Sequence, residues 1–212
     1  ITKGNYDVTD FYGIDESNNT VYFASSERSP MHRDVYAIQL NGKNKKTLTN
    51  KIGTNSATFS TNYKYFINQY SNANSPYYFS LFDAKGNEVR MLKDNSNLNN
   101  SLAEYALSQK EFFNFKTTEG IDLNGWMMKP YNFDETKQYP VFMYLYGGPG
   151  SQQVTDSWGG SNFLWYQMLT QQGYIVACVD NRGTGARGSE FKKCTYQQLG
   201  KLETKDQIEA NR

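Results

Sequence analysis

Short hydrophobic runs alternate with polar turn residues along roughly the first half of the chain. The runs are rich in aromatic and β-branched residues, which β-strands favour. Turn chemistry separates them at residues 15–19 (DESNN), at Asn41-Gly42 and at residues 84–87 (AKGN), because Asn, Asp and Gly accept the backbone conformations of tight turns. The pattern predicts antiparallel β-sheets in this half.

The strand pattern repeats with an offset of about 44 residues, within the range of propeller blades. The matched positions are Val21-Tyr22-Phe23 with Tyr65-Phe66-Ile67, Val35 and Ile38 with Phe79 and Phe82, Gly42 with Gly86, and Leu48 with Leu92. A repeat of this length predicts β-propeller blades of four strands each. Two blades cannot close a ring, so we expect further blades upstream of this sequence. A small β-sandwich of the same strands is the alternative, although a sandwich does not require a repeat in register.

A polar, Asn-rich segment at residues 94–101 (DNSNLNNS) marks the point where the pattern changes. Beyond it, strands alternate with helices, an order that predicts a parallel α/β sheet. The fold class we predict is therefore mixed. Residues 1–98 form the last blades of an all-β propeller, and residues 99–212 form an α/β domain, which the motif at residues 139–150 described below assigns to the first part of an α/β-hydrolase domain.

The second half carries the periodicities of both element types. The predicted strands are residues 112–116, 123–129, 141–146 and 174–179, the predicted helix is residues 162–172, and its apolar i, i+4 pairs are Leu164 with Met168 and Trp165 with Leu169. The last two strands are nearly continuous apolar runs, as in a sheet covered on both faces. Gly173 can end the helix. Thr204 could begin a final helix, with Gln207 completing a capping box.

Composition and charge bear on whether the protein binds nucleic acid, spans a membrane or contains disulfides. The 212 residues include 22 basic and 21 acidic side chains, a net charge of +1, so nothing favours nucleic acid or an anionic membrane as a partner. No apolar run reaches the roughly 18 to 20 residues of a membrane span. Cys178 and Cys194 fall in different predicted elements, which does not favour a disulfide and leaves the redox compartment open. The chain starts at Ile1 without a signal-like segment, so we expect it to come from a longer protein.

Residues 139–150 (YPVFMYLYGGPG) predict a buried strand that runs into a glycine-proline loop. In an α/β-hydrolase, such an element supplies the oxyanion-hole side of the catalytic centre. The glycines let the backbone turn sharply, and Tyr146 could aim its hydroxyl at an oxygen that gains negative charge. The alternative is a packed strand-end tyrosine beside an ordinary turn.

The nucleophile of such an enzyme does not occur in the sequence. There is no G-x-S-x-G elbow, and the single histidine, His32, lies far upstream in the β-rich half. Ser151 follows the glycine loop but lacks the elbow pattern and a nearby histidine, so we expect it to be a bystander. The sequence predicts a segment of a serine hydrolase whose nucleophile, acid and base lie outside the chain.

A second glycine-rich stretch, residues 183–188 (GTGARG), matches the G-x-G-x-x-G pattern of dinucleotide-binding folds. Asp206 stands near the expected acidic position. Two features argue against nucleotide binding: residues 180–182 (DNR) separate the strand from the glycines, and an earlier strand-helix unit precedes the motif. The interpretation we favour is a structural loop that is fixed by buried ion pairs of Asp180, Arg182 or Arg187.

His32 is the remaining candidate for special chemistry. It lies in residues 29–34 (SPMHRD) without cysteine or carboxylate partners at ligand spacing. A lone histidine of this kind is usually structural. The sequence therefore predicts no metal site and no cofactor.

Taken together, these residues resemble the prolyl oligopeptidase superfamily of serine peptidases, and within it the dipeptidyl peptidase IV branch, especially its bacterial members. The similar stretches cover nearly the whole chain: residues 1–10 (ITKGNYDVTD), 22–33 (YFASSERSPMHR), 94–96 (DNS), 139–152 (YPVFMYLYGGPGSQ), 179–188 (VDNRGTGARG) and 199–210 (LGKLETKDQIEA). The first three are similar to the last propeller blades and the domain junction, and the others to the hydrolase domain. Their order and spacing are more specific than any one of them.

The resemblance implies an eight-bladed propeller that caps an α/β-hydrolase domain. The implied activity is release of N-terminal dipeptides with proline, or less well alanine, in the second position. One catalytic residue carries over, Tyr146 as the oxyanion-hole tyrosine. The glutamates that hold the substrate's amine are implied upstream of Ile1, and the serine, aspartate and histidine downstream of Arg212, so we expect the chain alone to be inactive.

The resemblance also bears on partners and location. It implies peptide substrates with a free N-terminus, no cofactor, a parent that could be a homodimer, and a periplasmic or secreted location. Asn5-Tyr6-Asp7 stand where the branch often has a tryptophan, and Gly148 and Gly150 vary among relatives. Tripeptidyl and acylaminoacyl peptidases of the same superfamily therefore remain alternatives. A propeller-based binding protein with an inactive hydrolase part is another, and a nucleotide-binding protein is a distant third.

Overall fold

A computed structural model describes residues 1–211, which fold as two compact units. The first unit comprises Ile1–Ser96 together with two short later segments, Thr155–Trp158 and Ala186–Ser189. The second comprises Asn97–Val154, Gly159–Gly185 and the residues from Glu190 onward. The passage from one unit to the other at Ser96 falls inside the Asn-rich segment of the sequence.

Two four-stranded antiparallel sheets make up the first unit, in the orders β1-β2-β3-β4 and β5-β6-β7-β8. The strands are β1 (Val8–Asp15), β2 (Thr20–Ser25), β3 (Asp34–Gln39), β4 (Lys46–Thr47), β5 (Thr54–Phe59), β6 (Tyr65–Asn72), β7 (Ser75–Asp83) and β8 (Glu88–Lys93). Each strand pairs with its neighbour in sequence, so each sheet is a meander of four strands. This is the arrangement of successive propeller blades that the repeat predicts.

The two blades share a hydrophobic core. Its buried members are Tyr22, Val35, Leu48, Ala57, Phe66 and Phe82. Tyr22 and Phe66, which are equivalent in the repeat, are 4% and 1% exposed, and the rings of Phe66 and Phe82 stack with centroids 5.2 Å apart. Because side chains alternate along a strand, one face of each blade points into this core.

A mixed four-stranded sheet forms the centre of the second unit, in the order β11-β12-β10-β9. The strands are β9 (Lys110–Lys116), β10 (Asp122–Met128), β11 (Val141–Met143) and β12 (Ile175–Asp180). The prediction of a parallel sheet holds for the β11–β12 pair, while β9, β10 and β12 pair antiparallel. The connections explain the difference, since a short turn joins β9 to β10, whereas a crossover helix is needed between parallel strands.

The prediction of a buried strand over residues 141–146 is wrong in two respects. β11 ends at Met143, and Val141 and Leu145 are 54% and 49% exposed. The reason is position, because within residues 1–211 β11 lies at the edge of the sheet and pairs with β12 alone. Part of the apolar run packs against the helix that follows β11, where the Phe142 and Trp165 rings have centroids 5.1 Å apart.

Four helices occur in the described residues: α1 (Ser96–Ala103), α2 (Ser161–Gln171), α3 (Ser189–Lys193) and α4 (Lys201–Ala210). α2 follows the predicted span, and Gly173 after it has φ +87°. Part of the Asn-rich boundary segment forms α1, a helix without a buried residue. The Asp94 carboxylate accepts the Ser96 amide at 3.0 Å and so supports its first turn.

The predicted N-cap of the last helix is wrong by one turn. α4 begins after Gly200, not at Thr204. The Glu203 carboxylate accepts the Gly200 amide at 3.0 Å, a capping interaction that satisfies an amide with no partner inside the helix. Glu203 therefore makes the capping interaction that the sequence analysis assigned to Gln207.

Candidate functional site

Tyr146 lies just beyond the carboxyl end of β11, where the chain leaves the sheet. The Tyr144 amide donates to the Ala177 carbonyl at 2.8 Å, which extends the pairing with β12 by one residue. The Tyr146 side chain is 66% exposed, and its hydroxyl makes no hydrogen bond to another residue of the described chain. Its ring lies against Gly148, where a Cβ atom would come within 2.7 Å of Tyr146 Cε1. The hydroxyl is therefore available to an external acceptor.

The loop after Tyr146 is a compact turn. Gly147 and Gly150 have φ of +70° and +73°, a conformation that glycine adopts without steric cost. The Gly148 carbonyl accepts the Ser151 amide at 3.1 Å and the Ser151 hydroxyl at 2.7 Å. The Ser151 hydroxyl thus stabilises the turn, and its assignment as a bystander in catalysis stays a prediction.

Asp180 and Asn181, directly after β12, hold the segment that follows Tyr146. The Asp180 carboxylate accepts the amides of Gln153 and Val154 at 2.9 and 2.8 Å. The Asn181 side chain is fully buried and donates from Nδ2 to the Gly147 carbonyl at 3.0 Å. These contacts fix the chain on both sides of the Gly-Pro turn.

The second glycine-rich stretch contacts the first through its backbone. The Gly150 amide donates to the Gly183 carbonyl at 3.2 Å, and the Gly185 amide donates to the Ser151 carbonyl at 2.8 Å. Gly183 has φ +94°, and a Cβ atom there would lie 2.8 Å from the Thr195 side chain. The Gly185 amide, which a phosphate would need in a dinucleotide fold, is thus occupied by the protein itself.

Arg182 forms the buried ion pair that the sequence predicts for this loop. Its Nη2 lies 2.7 Å from Asp206 Oδ1, and its backbone amide donates to Asp206 Oδ2, also at 2.7 Å. Asp206 is fully buried, whereas a second partner, Glu119, is 41% exposed. Hydrogen bonding to Asp206 raises the pKa of Arg182 above its ordinary value. The partner was missed from the sequence because 24 residues separate the two charges.

Gln207, which the sequence predicts only as a capping residue, makes contacts that the sequence does not predict. Its Nε2 donates to the Val179 carbonyl at 2.8 Å and to Asn181 Oδ1 at 3.0 Å. A cavity of about 500 Å³ opens beside it, bounded on one side by residues 145–149 and on the other by α4. The sequence offers only a weak indication of these contacts. Polar side chains, those of Asp180 and Asn181, directly follow a buried strand, and Gln207 lies on a later helix.

The remaining candidates from the sequence are His32 and the two cysteines. His32 Nε2 lies 3.5 Å from Asp156 Oδ2 within the first unit. Cys178 and Cys194 are both free, and burial raises the pKa of the Cys178 thiol. Within residues 1–211, no three His, Cys, Asp or Glu side chains gather as metal ligands. Within the same residues, no helix has the length and apolar character that crossing a membrane requires.

Comparisons with known proteins point to one family. Residues 1–77 match the family model described as the dipeptidyl peptidase IV N-terminal region, and residues 161–212 match that of the prolyl oligopeptidase family. Two curated proteins of Arthroderma otae are similar over almost the whole chain. "Probable dipeptidyl-aminopeptidase B" is 35% identical over 99% of this chain, and "Dipeptidyl peptidase 4" is 34% identical over 98%.

A solved structure supports the same assignment. The crystal structure of Porphyromonas gingivalis dipeptidyl peptidase 4 is 49% identical over 99% of this chain, with a TM-score of 0.92. The chain spans about a quarter of these relatives: 23% and 27% of the two fungal proteins, and 29% of the bacterial structure. The chain belongs to the dipeptidyl peptidase IV branch of the prolyl oligopeptidase superfamily of serine peptidases.

Proposed function

We propose that this chain is part of a serine exopeptidase that releases dipeptides from the free N-terminus of peptides, with proline or alanine in the second position. The relatives named dipeptidyl peptidase 4 support the reaction, since they align with almost all of this chain. The partners of the whole protein would then be peptides. Its further blades, its nucleophile and its binding groups for the substrate amine would lie in parts that this sequence does not contain.

Residues 1–98 would supply the last propeller blades and residues 99–212 the first part of an α/β-hydrolase domain. The parallel pair β11–β12 with its crossover helix α2 supports the second assignment. In open α/β sheets, ligands bind outside the carboxyl ends of the strands. Tyr146 and the glycine loop follow the carboxyl end of β11, the position that such a site would use.

The observation that carries the proposal is the Tyr146 hydroxyl, exposed and without a hydrogen-bond partner among the described residues. In the whole protein, a serine oxygen would attack the substrate carbonyl carbon while a histidine accepts the serine proton. A C–O bond forms, and the carbonyl electron pair moves onto oxygen. The hydroxyl would donate to this oxyanion, favouring the transition state over the substrate. The carbonyl then re-forms as the C–N bond breaks, and the departing amine takes the proton from the histidine. Water would hydrolyse the remaining acyl-serine ester and so release the dipeptide and restore the serine.

Reporter amides with matched ends test the specificity in the full-length protein. We expect hydrolysis of Gly-Pro-p-nitroanilide and Ala-Pro-p-nitroanilide, slower hydrolysis of Gly-Ala-p-nitroanilide, and inhibition by a serine-directed reagent. Acetyl-Gly-Pro-p-nitroanilide is the control, because it blocks the amine and should not turn over. Preferred release of a tripeptide or of an acylated residue would identify the alternative peptidases, and no turnover of any reporter would favour a binding protein.

The isolated 212-residue chain provides a second control. It should not hydrolyse Gly-Pro-p-nitroanilide, because oxyanion stabilisation without a nucleophile leaves at most about 10³- to 10⁴-fold over water even in complete enzymes. Turnover by the isolated chain that a serine-directed reagent abolishes would contradict this proposal and would make Ser151 the residue to examine.

A further inference from the structure

We propose that Asn181 and Gln207 are positioning residues that hold Tyr146 in the orientation its catalytic role requires. The inference rests on the role proposed for Tyr146 and adds to it the groups that fix its backbone. Neither residue touches the hydroxyl itself. Both act through the Gly147 carbonyl.

The backbone around Tyr146 is anchored on both sides, while the side chain is exposed. On one side, the Tyr144 amide donates to Ala177 of β12 at 2.8 Å. On the other, the Gly147 carbonyl accepts Asn181 Nδ2 at 3.0 Å. Leu145 and Tyr146 between these anchors are 49% and 66% exposed, so packing alone constrains them little. The hydrogen bond to Gly147 is therefore the nearest restraint on the carboxyl side of Tyr146.

Asn181 and Gly147 fit each other closely. Asn181 is fully buried, and a Cβ atom on Gly147 would lie 2.7 Å from Asn181 Oδ1. Gly147 also has φ +70°, which disfavours any other residue. The amide side chain thus occupies the space that a side chain at residue 147 would need.

Gln207 sets which way the Asn181 amide faces. Gln207 Nε2 donates to the Val179 carbonyl at 2.8 Å. Because a carbonyl can only accept, this contact identifies the nitrogen of the Gln207 amide. The same nitrogen donates to Asn181 Oδ1 at 3.0 Å. If the Asn181 amide were reversed, two NH₂ groups would face each other. The oxygen therefore points to Gln207, and the nitrogen points to Gly147, where a donor is needed.

The two residues are neutral, and that suits the site. A carboxylate at residue 181 would place negative charge beside the loop that presents Tyr146 and would oppose an oxyanion. The nearest opposite charges pair with each other, since Arg182 Nη2 lies 2.7 Å from Asp206 Oδ1. An amide supplies a donor to Gly147 without adding charge.

A double-mutant cycle in the full-length protein tests the inference. The variants are Asn181→Ala, Tyr146→Phe and the double variant, assayed with Gly-Pro-p-nitroanilide. We expect Asn181→Ala to lower kcat by about 10- to 100-fold, since a displacement of about 1 Å at a reacting group can cost about 100-fold. KM should change little. In the Tyr146→Phe background, the same substitution should lower kcat by less than about 3-fold, because the group being positioned is already gone.

Gln207→Leu keeps the side-chain volume and removes the donor to Asn181, so it tests the same path if Asn181→Ala does not fold. We expect a loss of about 3- to 10-fold in kcat that also disappears in the Tyr146→Phe background. Gln198→Ala is the matched control, because Gln198 is an exposed glutamine that donates from Nε2 to a backbone carbonyl, that of Cys194, at 2.8 Å. Its kcat should equal that of the unmodified protein.

The outcomes separate the inference from the function on which it rests. If Tyr146→Phe leaves kcat unchanged, the catalytic role of Tyr146 is wrong and the positioning role falls with it. If Tyr146→Phe lowers kcat but folded Asn181→Ala and Gln207→Leu do not, the positioning role alone is overturned. Equal losses from Asn181→Ala in both backgrounds also overturn it, because Asn181 would then act by another route.

Discussion

The glycine-containing stretches at residues 146–150 and 181–185 of the second unit differ in burial. At residues 146–150, the tyrosine is 66% exposed and its hydroxyl has no partner within the described chain. At residues 181–185, Asn181 and Thr184 are almost completely buried, and the backbone of Gly183 and Gly185 is bonded to the first stretch. One stretch exposes a hydroxyl for which we propose a catalytic role, and the backbone of the other is hydrogen-bonded to residues 150 and 151.

The difference shows what a glycine pattern can and cannot indicate. Gly147 and Gly183 both have positive φ, and in both a Cβ atom would come within 3 Å of a neighbouring side chain. The pattern therefore reports close approach of the backbone to something. The pattern does not tell whether the backbone approaches a ligand or another part of the protein. In the second stretch it approaches the Thr195 side chain and the backbone of residues 150 and 151.

The largest expected effect on stability concerns the ion pair of Arg182 with Asp206. Asp206→Ala should lower the free energy of unfolding by about 3 to 5 kcal/mol, because it leaves the partly buried Arg182 guanidinium without its main partner. Arg182 is 11% exposed. Glu119→Gln is the control, and it should have a much smaller effect, since Glu119 is 41% exposed. Thermal unfolding of the full-length variants measures both. Equal effects would show that the buried pair is not what holds the loop.

Alanine at one glycine of each stretch should separate support from function. At Gly183, φ is +94° and a Cβ atom would meet Thr195 at 2.8 Å. Gly183→Ala should therefore destabilise the protein by about 1 to 3 kcal/mol. At Gly148, the added atom would meet the exposed Tyr146 ring, which can move. Gly148→Ala should change stability by less than about 0.5 kcal/mol and lower kcat by about 10-fold.

Unfolding curves and steady-state kinetics of the two glycine variants provide the comparison. The expected pattern is a lower melting temperature for Gly183→Ala and a lower kcat for Gly148→Ala. The reverse pattern would show that we have exchanged the roles of the two stretches.

The smallest effect is expected at Ser151. Its hydroxyl donates to the Gly148 carbonyl at 2.7 Å, so Ser151→Ala should cost about 0.5 to 1.5 kcal/mol of stability. Turnover by the full-length protein should stay within about 10-fold, whereas loss of a true nucleophile costs about 10⁶-fold. A rate of reporter hydrolysis near background for a folded variant would contradict the bystander role.

The β-rich half could be predicted from the sequence because its signals are local and repeated. Equivalent positions such as Tyr22 and Phe66 are both buried, and the order of strands in each blade follows the order in the chain. Turn chemistry at Asn41-Gly42 fixes which strands pair. Short-range patterns of this kind need no knowledge of distant contacts.

The supports of the candidate site could not be predicted in the same way. Tyr146 was identified from its position after an apolar run, but the pairing of Arg182 with Asp206 and of Asn181 with Gln207 joins residues 24 and 26 positions apart. The edge position of β11 also depends on strand order, which periodicity does not report. The exposure of Val141 was missed for that reason.

The most direct measurement of the central claim is the steady-state kinetics of Tyr146→Phe in the full-length protein. The substitution keeps the ring that lies against Gly148 and removes the hydroxyl. We predict that kcat falls by about 10²- to 10³-fold, as for loss of an oxyanion-hole donor, with little change in KM and an unchanged melting curve. A folded variant with nearly normal kcat would contradict the claim that Tyr146 stabilises the oxyanion.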